Sequence, residues 1–184
     1  MARATFSRTL HDVGLAAWFG GTLANAVALN AAAGAVSDAK DAGRVANAGW
    51  NRWTPVNFVA IASHVLGSVL QLNSNKGRIT AQQGVATMSI VKTTLTVAAL
   101  GVTYYSRVLG RKIADHGAVP MASGVDPAPG TPQEVVKASK QLKTLQWIIP
   151  ALTGALVVVT SFAGEQQRAS EVTEGFFSRL LPTR

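Results

Sequence analysis

The chain has 184 residues, enough for one domain of ordinary size. Only 14% of them are charged and 48% are apolar, whereas soluble domains carry roughly 25% charge, so lipid is the better solvent for this surface. The absence of cysteine excludes disulfides, thiolate metal sites, Cys-ligated iron–sulfur clusters and cysteine nucleophiles. The net charge of +8 is scattered between apolar runs rather than gathered on one face. That pattern points to anionic lipid headgroups and away from nucleic acid.

Four charge-poor runs follow in chain order, each near the ~20 residues (roughly 17–25) that cross a hydrocarbon core. The first covers residues 13–36 (VGLAAWFGGTLANAVALNAAAGAV). Arg3 and Arg8 before it and small residues at its end resemble a secretory signal. Asp12, Asn25 and Asn30 interrupt it, however, so it reads as the first span. Residues 37–53 form a polar, Ala-rich connection with room for a short helix that turns Val45 and Trp50 to the bilayer. The second span covers 55–72 (PVNFVAIASHVLGSVLQL), with Thr54 as N-cap and Pro55 at the first helical position. The third covers 85–105 and holds one charge, Lys92, behind a capping box of Thr80 and Gln83.

Residues 114–132 are a loop, because proline and glycine density defeats both helix and strand. Thr131 and Glu134 make a second capping box, with Pro132 at the first position. The fourth helix is then amphipathic through Val135, Val136, Leu142 and Leu145 before its span at 147–163. Pro150 should kink it or leave a carbonyl that needs another partner. In the tail, 164–184, Ala169, Val172, Phe176 and Leu180 share a helical face, suited to the membrane interface or to a partner. The expected architecture is all-α: one integral membrane four-helix bundle, its third and fourth helices extended beyond the bilayer, with an amphipathic C-terminal helix.

Trp50, Trp53, Tyr104, Tyr105 and Trp147 lie near span ends, the depth that amphipathic rings prefer, and Trp18 lies deeper. Four spans put both termini on one side of a cell membrane. That side collects seven Lys and Arg, the other nine, including Arg107, Arg111 and Lys112 at a helix end. The loop side, 37–54 and 106–146, is therefore expected to be cytoplasmic.

Helices in lipid pack through small residues and polar side chains. Ala17 with Gly21, Gly20 with Ala24, and Ser63 with Gly67 have that spacing, for a seam within the bundle or between two copies. Lys92 and His64 are expected at similar depth, near Trp18, with Asp12, Ser63, Thr93 and Thr160 as neighbours. A charge in hydrocarbon costs about 2.5–3.5 kcal/mol on insertion scales. One reading is a polar pocket that passes a proton or binds a polar or anionic ligand. The other is a snorkelling lysine and a packing histidine. Haem b between two imidazoles is a third use, but His11 counts as about 11 Å shallower than His64. His116 and Asp115 read as surface residues, and Asn25 and Asn30 as partners of neighbouring helices.

The opening helix, LHDVGLAAWFGGTLANAVAL, with its histidine, Trp-x-Gly-Gly and the later Arg52-Trp53-Thr54-Pro55, resembles small four-helix membrane proteins of the TMEM205-like and copper-resistance-D-like kind. The resemblance covers the first third of the chain. A Phe-Pro-x-Tyr-Phe-like stretch, expected of the former, and Met-rich copper sites, expected of the latter, are missing. It implies a four-span fold and a transport, ion-tolerance or accessory role. With no catalytic constellation, the expected function is a non-enzymatic accessory or assembly component with protein partners or as a homo-oligomer. The alternatives are a small-solute transporter using His64 and Lys92, and a haem-bearing electron-transfer subunit.

Overall fold

The computed structural model describes residues 2–74, 76–77 and 84–165, and the proposed Thr80–Gln83 cap and most of the tail lie outside them. Four long helices carry the described chain. Helix α1, Ala2–Ala24, continues through a π-helical turn, Asn25–Leu29, and ends in a 3₁₀ turn, Ala33–Ala35. Helices α2 (Ala39–Ser74), α3 (Val85–Ala114) and α4 (Gln133–Glu165) follow. All four are long and apolar enough to cross a bilayer, an architecture compatible with a multi-pass integral membrane protein. Among the described residues the sole β-pairing is an isolated bridge between Met121 and Pro127.

Helix α2 starts earlier than its proline suggests. Residues 39–53, expected as a connection with room for a short helix, are helical as a whole and run unbroken into Pro55. Thr54 does not cap; its hydroxyl donates to the Trp50 carbonyl one turn back, 2.7 Å away. The reason is tertiary. Ala42 and Ala46, on one face of this extension, are buried, and Ala42 packs in a cluster with Met121, Val119, Leu109, Ile113, Val135 and Ala138. Burial of that stripe outweighs the loss of one backbone hydrogen bond at Pro55. At about 1.5 Å per residue, the 36 residues of α2 reach about 54 Å, against about 30 Å of hydrocarbon.

The 114–132 segment is ordered around that cluster. Helix α3 ends where Gly117 takes a left-handed φ of +72° and its N–H bonds to the Ala114 carbonyl, 3.0 Å. Thr131 does not form the expected capping box. Its hydroxyl donates to the Pro120 and Ala128 carbonyls and closes the loop instead. Met121 N–H bonds to Ala39 O at 2.8 Å and Gly124 N–H to Asn30 O at 2.8 Å, so the loop sits on the ends of α1 and α2. Asn30 is a hub there: its amide donates to Gln146 of α4, 2.8 Å, and accepts from Trp50 Nε1, 3.0 Å. Lys143 Nζ lies 2.6 Å from Asp126, which also accepts from Ser123 at 2.8 Å. The Lys143 hydrogen bond, aided by Ser123 and opposed by partial burial, holds the Asp126 carboxyl below its ordinary range.

Around the bundle the packing order is α2, α1, α4, α3. Helices α1 with α2 and α3 with α4 form two close pairs, and α1 joins them to each other through α4, Phe19 lying against Gly154. Helices α2 and α3 scarcely meet. They are linked near the loop side by Arg107 donating to the Asn51 side chain, 3.0 Å, and at mid-depth by His64 and Thr96, 3.3 Å. Toward the terminal side the two helices enclose a space.

Candidate functional site: a polar vestibule over a histidine pair

The seam between α1 and α2 is built from one short pattern used twice, His11-x-x-Gly14 and His64-x-x-Gly67. The helices run antiparallel, so each glycine meets the other helix's histidine. A Cβ on Gly14 would stand 2.5 Å from Ala60 O and from the His64 backbone nitrogen. A Cβ on Gly67 would stand 2.7 Å from Ser7 O and press on the His11 backbone. Only glycine lets the two backbones approach this closely. The imidazoles are thereby brought into contact, with centroids 4.5 Å apart and planes tilted by 49°, and both are fully buried.

This overturns the expected difference in depth. Helix α1 starts at Ala2, well before its first apolar run, which puts His11 nine residues from that end and His64 ten residues before the end of α2. The rings touch, and no gap for a macrocycle exists between them.

Hydrogen bonding assigns the protons. His64 Nδ1 faces the His11 carbonyl oxygen at 3.4 Å, an acceptor only, so Nδ1 carries the hydrogen. His64 Nε2 then accepts from the Thr96 hydroxyl. His11 Nδ1 donates to the Asp12 carboxylate at 2.7 Å, and in the neutral imidazole Nε2 is then a lone pair. Among the described residues, His11 Nε2 and the buried Trp18 Nε1 meet no hydrogen-bond partner. Trp18 closes the floor, fully buried with Ala60 and Ala99 and 6.0 Å from the His64 ring.

Asp12 and Thr96, the outer partners of the pair, also line the vestibule. It is a cavity of about 610 Å³ to which all four helices contribute. Arg8, Asp12 and Lys92 supply its charge, and Ser68, Gln71, Ser89, Thr93, Thr160 and Ser161 its hydroxyl and amide groups. Lys92 is half-buried, with Asp12 and Arg8 as its charged neighbours.

Of the residues singled out from sequence, Lys92 and Asp12 lie on the vestibule wall, and His64 and Trp18 lie behind and beneath it. Ser63 is half-buried beside His64 but off the wall. Ala17 packs on the Trp18 cluster, Gly21 accommodates the Trp53 ring, and Gly67 sits on the His11 backbone. Gly20 has open space around it and Ala24 is exposed, so neither joins the α1–α2 seam. Sequence reasoning passed over Gly14, Arg8, Thr96 and the partnership of His11. The repeated His-x-x-Gly was the available signal.

No family model, curated protein or solved structure matches the chain.

Proposed function

We propose that this membrane protein takes a small polar or anionic solute into the vestibule and carries it across the bilayer, with no chemical transformation. The supporting observation is a cavity of about 610 Å³ among four spans, with Lys92, Arg8 and Asp12 on its wall and a hydrogen-bonded histidine pair behind. Charge within lipid is costly and marks substrate or ion pathways in other membrane proteins. Lys92 attracts the anion and Asp12 holds His11. A solute leaving toward the loop side would have to pass the buried cluster of Trp18, Ala60 and Ala99 and the His64–Thr96 contact. Transport then requires the two helix pairs to move against each other.

The test is flux in proteoliposomes, using chloride, nitrate and acetate with a pH-sensitive dye for protons. Lys92→Ala and His64→Ala are expected to change flux of at least one species, by about tenfold for a lost charge-assisted contact. Unchanged flux in variants that remain monodisperse overturns the proposal. A second reading, an accessory component of a membrane complex, draws support from the ordered platform of loop and helix ends outside the spans. Mild-detergent purification distinguishes it: stoichiometric partner proteins favour it, and a lone homogeneous species counts against it.

A further inference from the structure

Beyond the vestibule floor, toward the loop side, a second set of polar groups lies on the inward sides of α2 and α3. Trp53 Nε1, Asn57 Oδ1, Thr103 Oγ1, Ser106 Oγ and Arg107 Nε are buried and, among the described residues, meet no hydrogen-bond partner. Hydroxyls elsewhere in the four helices behave differently: those of Thr22, Thr54, Ser68 and Thr153 each donate to a carbonyl one turn back. The unpartnered groups recur at helical spacing. Asn57 lies seven residues before His64 on α2, and Thr103 lies seven after Thr96 on α3, with Arg107 one turn further on. The contacts of His64 with Thr96 and of Arg107 with Asn51 fix the antiparallel register. That register puts Asn57 near the level of Thr103, and Trp53 near that of Ser106. From His64 to Asn51 the series covers about 20 Å along the helix axis.

A buried donor or acceptor left unmade is costly, and apolar side chains of similar shape would fill a mere packing seam at less cost. Helices α2 and α3 scarcely meet, and among the described residues only those two hydrogen bonds join their side chains. We infer that the loop-side half of the solute's route runs between α2 and α3, past Asn57, Thr103, Ser106 and Arg107, and takes up water when the two helices part. The vestibule opens the terminal-side half in this structure, and the unpartnered groups gain partners when the loop-side half opens. Parting releases Arg107 from Asn51 and His64 from Thr96, the same movement of α1–α2 against α3–α4 that transport requires. The inference rests on the transport reading and supplies the second half of its path.

The experiment uses single cysteines, since the chain has none of its own. Asn57→Cys, Thr103→Cys and Phe58→Cys are reconstituted in liposomes, with a charged, water-soluble methanethiosulfonate present on both faces. Phe58 neighbours Asn57 but is 71% exposed, so its depth is matched and its surroundings are lipid. Asn57→Cys and Thr103→Cys should react at least about tenfold faster than Phe58→Cys. Their modification should block flux of whichever of chloride, nitrate, acetate or protons the unsubstituted chain carries. Near-isosteric Thr103→Val should leave the unfolding temperature unchanged or raise it, while lowering that flux by about tenfold. Full flux in Thr103→Val, or cysteines as slow as Phe58→Cys in a chain that carries solute, overturns this path and leaves the transport reading standing. Absence of flux in the unsubstituted chain overturns both.

Discussion

Gly14 and Gly67 decide how closely α1 and α2 approach, and each is in contact with backbone that cannot swing aside. Gly14→Ala or Gly67→Ala should force the helices apart and destabilise the bundle by about 1–3 kcal/mol, the usual cost of overpacking. Gly20→Ala is the matched control, since nothing stands near its Cβ position and alanine is the better helix former by about 1 kcal/mol. Unfolding in mild detergent, followed by circular dichroism, should separate the two groups; equal effects at all three sites would refute the close-packed seam. The sequence carried this seam in plain view, as His-x-x-Gly written twice. It was hard to read because small-xxx-small spacing favoured Gly20, Gly21 and Ala24, and because depth was counted from the first oily residue. A helix that begins in polar residues shifts that origin by about three turns, and with it the depth assigned to His11.

At the scale of elements, the 114–132 segment and the start of α2 were the least legible parts. Their buried residues, Val119, Met121, Val125, Ala42 and Ala46, are scattered among glycine, proline and polar residues, and only Ala42 and Ala46 share a helical spacing, carried by small side chains. They become a core only when the ends of three helices close over them. The four spans, by contrast, were legible from run length and charge poverty alone, because lipid imposes both. The loop's ion pair gives a pH prediction. The Asp126 carboxyl titrates lower in the fold than in an unfolded chain, so its contribution is present above about pH 4 and is lost as pH falls through the folded value. Both side chains are more than a third exposed, so the contribution is below about 1 kcal/mol. Limited proteolysis with an acid-active protease should cut between 120 and 130 faster as pH drops from 5 to 3. Asp126→Asn should remove that pH dependence of the loop; a variant that retains the full acid response would show that Asp126 is not its source.

For the molecule as a whole, the natural lack of cysteine makes topology directly measurable. Ser37 and Lys76 are exposed at opposite ends of α2. Single substitutions Ser37→Cys and Lys76→Cys should react with an impermeant maleimide from opposite faces of sealed vesicles. Reaction of both from the same face would refute four spans. The excess of Lys and Arg on the loop side leads us to propose that Ser37→Cys is the one protected in intact cells.

Helix α2 is far longer than any bilayer needs, and its surplus carries Ala42 and Ala46 beneath the loop. A rod anchored at one end by a folded cap has a fixed immersion. It cannot slide deeper to match a thicker membrane without dragging that cap into the headgroups, nor rise in a thinner one without baring its valines to water. A thicker or thinner bilayer would then be met by tilt of the helices or by adjustment of the lipids around them rather than by sliding.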